Sequence, residues 1–161
     1  MSNIQMGQLK FNAEKSGDTL LVKIEGSINE DLIIEQAAEL HHSHITFDMQ
    51  KVKMINSCGI REWIRMLEKH GPDTQIEYIH VPQIVIQQMN MISGFLTKNA
   101  KVISFYAPYF IEDLDEERQV LLNSADIQNF KAPKLTETVD GTEYPLDFDA
   151  MEEQYFRFLK R

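Results

Sequence analysis

The sequence predicts an α/β fold: a mixed, mostly parallel sheet with flanking helices, followed by a small C-terminal α+β appendage. Two observations carry this. After an opening hairpin, strand-like runs alternate with amphipathic helical runs up to residue 106, an order that implies crossover connections and parallel strand neighbours. Beyond Pro108 the alternation stops and aromatic residues cluster among acidic ones, which marks a second unit. The expected division is 1–108 for the α/β domain and 109–161 for an appendage packed on it.

The elements follow in order. Gln8–Lys15 and Thr19–Glu25 read as two strands joined by Ser16-Gly17-Asp18, whose glycine and aspartate suit a hairpin turn. Asp31–Leu40 reads as a helix with Ile33, Ala37 and Leu40 on its apolar side. Ile45–Met49 is a third strand, and a loop carrying Val52 and Ile55 leads to a helix over Ser57–His70, stopped by Gly71-Pro72. Ile60, Trp63, Ile64 and Leu67 form its inward stripe. Gln75–His80 is a fourth strand, Pro82–Met91 a helix opened by proline, and Lys101–Tyr106 a fifth strand closed by Ala107-Pro108.

In the tail, Glu117–Leu122 reads as a strand and residues 123–140 as a polar stretch. Residues 141–147 read as a turn with a short strand, and 150–159 as a helix carrying Met151, Tyr155 and Phe158-Leu159. The aromatic density of the tail is too high for a disordered segment.

Composition narrows the function classes. A formal charge of −9 opposes a nucleic-acid surface, since phosphates would be repelled over most of the molecule. The acidity is concentrated late: residues 112–117 read EDLDEE, and 137–153 hold seven acidic residues and no basic one. One cysteine excludes an internal disulfide and any multi-cysteine zinc site. No apolar run approaches the roughly 18 residues of a membrane span. The opening MSNIQMGQLKF lacks the basic and apolar regions of a signal peptide, so a cytoplasmic location is expected.

The candidate site is the turn Asn56-Ser57-Cys58-Gly59 at the start of the second helix. Ser57 can cap that helix, as can Asn56 if the helix begins one residue earlier. Free backbone N–H groups and the positive dipole end there also favour an anion. Beside the turn, Arg61, Glu62 and Arg65 form an exposed ridge that would suit an acidic partner. Asp48, at the end of the third strand, is a plausible companion. Cys58 at a helix N-terminus could be a reactive thiolate, but no resolving cysteine or predictably adjacent histidine accompanies it. His41, His42 and His44 read as a solvated loop rather than a metal site. No cofactor, metal or catalytic constellation is expected.

The strand–loop–helix around Asn56-Ser57-Cys58-Gly59 resembles the signature of the STAS family, the fold of bacterial anti-sigma-factor antagonists and of sulfate-transporter tails. The resemblance covers roughly residues 8–106. It implies a non-enzymatic protein-interaction module in bacterial signalling, with an anti-sigma-factor or serine-kinase-like partner and with homodimerisation left open. In that family the turn reads Asp-Ser-Ser-Gly or Asp-Ser-Thr-Gly, and a kinase phosphorylates the hydroxyl before the glycine. Here Cys58 stands at that position and Asn56 replaces the aspartate. Ser57 is the remaining hydroxyl, one residue early and turned by about 100° on a helix.

The alternatives are a small-ligand or anion binder near Asp48 and Ser57, and a STAS subunit of a membrane transport complex. Ile55-Asn56-Ser57, Gly59-Ile60-Arg61-Glu62-Trp63 and Ala107-Pro108-Tyr109-Phe110 further resemble STAS-like proteins whose tail is a cysteine-paired zinc ribbon. Ile111 and Leu114 fall where its first cysteine pair would stand.

Overall fold

The computed structural model describes residues 2–37 and 40–160. Its first sheet has six strands: β1 (Ser2–Met6), β2 (Leu9–Ser16), β3 (Thr19–Ile28), β4 (His44–Ile55), β5 (Gln75–Ile79) and β6 (Ala100–Val102). They lie side by side in chain order. The β1/β2 and β2/β3 pairs are antiparallel, and the next three are parallel. The sheet is therefore mixed and mostly parallel, as the alternating order predicts. Helices α1 (Ile34–Ala37), α2 (Ser57–His70) and α3 (Gln83–Met91) provide the crossovers.

One face of the sheet is apolar because alternate residues of each strand point the same way. Phe11 of β2, Phe47 of β4 and Tyr78 of β5 receive Trp63 of α2, with ring centroids 6.1, 4.9 and 6.4 Å from it. The buried Trp63 Nε1–H donates to the Tyr78 hydroxyl at 3.0 Å. The neighbouring strand positions project to the other face. There Glu77 lies between His44 and Lys101, at 3.3 and 3.4 Å, and Asp48 pairs with His80.

Several elements differ from expectation. Strand β4 runs on to Ile55 where a loop is expected. It stays paired with β3 through Gly26↔Val52 and Ile28↔Ile55, with two register shifts that place extra residues on β4. Those bulges bury Met49, Val52 and Ile55 at a spacing of three, so period-two alternation is lost from the sequence. β1 lies outside the expected strands; its alternation is confined to Ile4 and Met6, too short a pattern to mark a strand, although Met6 is buried and Ile4 packs against the core. The helix expected over 31–40 is formed at Ile34–Ala37, and residues 38 and 39 lie outside the described residues. Leu32, not Ile33, enters the core there.

The fifth strand is split. β6 ends at Val102, and β7 (Ser104–Ile111) continues through Ala107-Pro108 into a second sheet. Its other strands are β8 (Glu116–Asn123), β9 (Leu135–Val139) and β10 (Thr142–Phe148), in the order β8-β7-β10-β9. The two sheets stay joined where Val81 lies beside Phe105, with Val81 N–H donating to Ser104 O and Tyr106 N–H to Val81 O. β9 lies within the stretch read as polar loop. It pairs with β10 across Asp140-Gly141, both at positive φ, the geometry of a tight hairpin.

The terminal helix is α4 (Glu152–Tyr155), tightening to a 3-10 turn at Phe156–Leu159. Tyr155 and Phe158 are buried as expected and Leu159 packs against the core, but Met151 is exposed and Phe156, outside the expected stripe, is fully buried. Phe105, Phe148, Tyr155, Phe156 and Phe158 form one aromatic cluster, and Asn90 of α3 donates to Tyr155 O at 2.9 Å. Ile111 is fully buried. Among the described residues no group of three or more His, Cys, Asp or Glu side chains is placed to hold a metal. No helix there is long and apolar enough to cross a membrane.

Two predictions follow from this core. Tyr78→Phe removes the acceptor of the Trp63 indole and should cost about 1–3 kcal/mol in urea unfolding. An unchanged midpoint would contradict the buried hydrogen bond. The second concerns His70, at the end of α2, which is buried and stacked on His41 at 5.8 Å. Burial, and secondarily the His41 charge, lower its pKa from the ordinary 6.5. The unfolded chain then binds the proton more readily, so stability is full above about pH 6.5 and falls as pH drops below it. The unfolding midpoint should decline from pH 7.5 to 5.5, and less so in His70→Gln.

Candidate functional site

The first turn of α2 is built by Asn56. It sits in extended backbone just before the helix, and its Oδ1 accepts the Gly59 N–H at 2.8 Å. This is an N-cap, which relieves one of the unpaired donors of the first turn. Of the two capping arrangements open from sequence, the Asn56 one is realised. Ser57 is thereby the first helical residue, with its hydroxyl exposed. The other end of the Asn56 amide donates to Glu30 Oε2 at 3.0 Å, and this bond holds the Glu30 carboxyl below its usual pKa.

Gly59 is required by contact rather than by turn geometry. A Cβ at Gly59 would stand 2.0 Å from Ile28 O and 2.7 Å from Asn29 N. The helix therefore starts directly against the end of β3, and Asn56 N–H donates to the same Ile28 carbonyl at 3.1 Å. Cys58, between capped and packed neighbours, is partly exposed and is the free cysteine of the chain.

One turn further, Arg61 and Arg65 project outward with side chains 62% and 58% exposed, while Glu62 is only 17% exposed. Glu62 Oε1 accepts from Arg61 Nε at 3.3 Å and from Arg65 Nη1 at 3.2 Å. The like-charged pair is thus bridged by the carboxylate between them, so the ridge is partly neutralised. Beside it, between α2 and α3, lies a groove of about 760 Å³ with Ile60, Ile64, Met91 and Ile92 in its wall and Ser57 at one end. Neither Glu30 nor the α3 side of this groove was anticipated. A carboxylate two loops away and an exposed methionine at the end of a helix carry no spacing signal.

Asp48 lies elsewhere. It sits in the middle of β4, level with Lys23 and Ile79, and seven residues before Ile55. Because all seven residues are in paired strand, rising about 3.3 Å each less what the two bulges take up, Asp48 lies several strand residues back along β4 from the turn at Asn56. Its Oδ1 accepts the Gln50 N–H at 3.1 Å and lies 3.0 Å from His80 Nδ1 on the open face of the sheet. The structure therefore brings together Asn56, Ser57, Cys58, Gly59, Arg61, Glu62 and Arg65, and leaves Asp48 apart.

Comparison with known proteins finds no matching protein-family model and no matching curated protein. Among solved structures, one similar chain is an anti-sigma factor antagonist from Mycobacterium paratuberculosis. It is 15% identical, with a TM-score of 0.44, over 52% of this chain and 76% of that one.

Two substitutions test how the turn is built. Asn56→Ala deletes the cap and should lower stability by about 1 kcal/mol. Gly59→Ala drives a methyl group into backbone that cannot yield as a flexible side chain would, so it should cost more than the cap deletion. Chemical denaturation of both variants decides the order. Gly59→Ala at wild-type stability would refute the contact with Ile28.

Proposed function

We propose that this chain is a non-enzymatic protein-interaction module of STAS type, resembling an anti-sigma-factor antagonist, and that it meets its partner through the first two turns of α2. The observation that carries this is the combination at one corner. Ser57 is exposed and Cys58 partly so, on a turn locked by Asn56 and Gly59, with the Arg61–Glu62–Arg65 ridge immediately beside them. An exposed set of polar groups on a capped and packed turn, beside an apolar groove, suits recognition of a protein surface.

The small-anion alternative is less well supported. The Gly59 N–H that an anion would use is already taken by Asn56, and the Glu30 carboxylate stands against that same side chain. Asp48, the proposed companion of such a site, is on a different part of the sheet. Nothing at the corner pairs an acid with a base or a nucleophile, so no catalytic role is proposed.

The partner on this reading is a signalling protein, anti-sigma-factor or serine-kinase-like, in the cytoplasm of a bacterium. Cys58 cannot take a phosphate in the way a serine or threonine can, so the module is not switched by phosphorylation at the position before the glycine. Ser57 points about 100° away from that position around the helix, which opposes transfer by a kinase built to reach residue 58.

Charge reversal at Arg61 and Arg65 should weaken capture of the native partner far more than reversal at Lys98 and Lys101, which flank Asn99 at the C-cap end of α2 and the Glu77 face of the sheet. Equal losses at the two pairs would remove the assignment of the surface. Mass spectrometry of the protein from its own host, during growth and stress, should find residue 57 unmodified. Substantial phosphate on Ser57 would show that the switch persists one residue earlier.

A further inference from the structure

The methionines of the chain fall into two kinds. Met6, Met49, Met66 and Met89 are buried, none of them more than 6% exposed. Met54, Met91 and Met151 are 60%, 71% and 66% exposed. An exposed thioether is open to oxidants, so Met54 sets the baseline that exposure alone gives. Met91 and Met151 differ from it in what surrounds them.

Met91 is the last residue of α3 and Met151 stands just before α4. The Asn90 bond to Tyr155 O ties those two helices together. Both methionines line one depression of about 320 Å³, and the same walls carry the N–H donors of Gln87, Gln154 and Arg157. The Arg157 guanidinium makes no ion pair or side-chain hydrogen bond among the described residues, so its donors are open to whatever enters. The neighbouring carboxylates of Glu152 and Glu153 line a separate depression with Lys131 and Phe148. Glu152 Oε2 is further held there by the Ala132 N–H at 2.7 Å.

That donor set suits one reaction of a thioether. When a hydroperoxide meets sulfur, a sulfur lone pair attacks one peroxide oxygen and the O–O bond breaks. The departing oxygen keeps the bonding pair, takes the proton from the transferred oxygen, and leaves as water or alcohol. Sulfur is oxidised by two electrons and the peroxide is reduced by two. Charge develops on the departing oxygen along the way, and a guanidinium donor placed beside it lowers the barrier. The sulfoxide left behind is polar and accepts hydrogen bonds, which the same donors supply.

We propose that Met91 and Met151 form a methionine-oxidation site. Arg157 assists oxygen transfer from hydrogen peroxide or an alkyl hydroperoxide and then hydrogen-bonds the sulfoxide. Methionine sulfoxide reductases reverse the modification. Because Met91 also lines the α2–α3 groove, the added oxygen stands on an otherwise apolar wall beside Ile60, Ile64 and Ile92.

The test treats the purified protein with hydrogen peroxide at neutral pH and follows each methionine by site-resolved mass spectrometry. Met91 and Met151 should be oxidised roughly threefold faster than Met54 or more, the advantage of a positioned donor. The four buried methionines should react about tenfold more slowly than Met54. Arg157→Ala should bring residues 91 and 151 down to the Met54 rate, and Arg157→Lys should keep most of the advantage. Arg157 is exposed, so both variants should unfold at the midpoint of the parent. Methionine sulfoxide reductases A and B together should restore both thioethers.

Equal rates at Met54, Met91 and Met151 would overturn the inference, since exposure alone would then account for the reaction. So would an advantage that survives intact in Arg157→Ala, because the guanidinium would then play no part. Oxidation of buried Met89 as fast as Met91 would contradict the assignment to this depression.

Discussion

The contact between Gly59 and the Ile28 carbonyl is the constraint on which the functional corner depends. It brings the backbone of α2 against the backbone at the end of β3 with no side chain between them. Asn56 then does three things from one position. Its N–H bonds Ile28 O, its Oδ1 caps the helix, and its Nδ2 holds Glu30 from the following loop. The direction in which α2 leaves the sheet is therefore fixed at its first residue. Trp63, one turn on, is carried into the aromatic layer of Phe11, Phe47 and Tyr78. Arg61 and Arg65 are carried outward by the same rotation.

The second sheet reuses this logic at another junction. The chain leaves β5 at Ile79 and passes through His80, which adopts a positive φ. Val81 then forms a bridge with Phe105, so β7 is anchored to the first sheet before it pairs with β8 and β10. Phe105 points from that anchor into the aromatic cluster of α4 and the closing 3-10 turn. The Asn90 bond to Tyr155 then ties α3 to the same cluster. The position of α3, and hence the width of the groove it forms with α2, depends on packing supplied from the last residues of the chain.

Much of the first sheet and all of α2 was legible because local and long-range signals agreed. The span Ser57–His70 is bounded in sequence by a polar turn and a Gly-Pro stop, and the structure has the same limits. The long second half of β4 was not legible, because two bulges turn its buried positions into a period of three. The tail was read in outline only. Phe156 joins Tyr155 and Phe158 in the core where α4 tightens into a 3-10 turn packed against Phe105 and Phe148, and Met151 stands exposed in extended backbone before α4, neither of which follows from helical spacing. At the corner the residues were visible but the division of labour was not. Asn56 rather than Ser57 caps, and Gly59 serves a contact with a strand thirty residues earlier. Asp48 lies inside its strand rather than at its end because β4 continues six residues beyond Met49, where the sequence pattern breaks.

The central claim is that the first turn of α2, which follows β4, is locked against the end of β3 and so presents Ser57, Cys58 and the arginine ridge from a fixed backbone. Native-state amide hydrogen exchange tests it most directly. The Asn56 and Gly59 amides, bonded to Ile28 O and Asn56 Oδ1, should exchange as slowly as the central residues of β4, opening only with global unfolding. Exchange at the rate of an exposed loop for these two amides, with β4 still protected, would show that the first turn frays independently and would contradict the account.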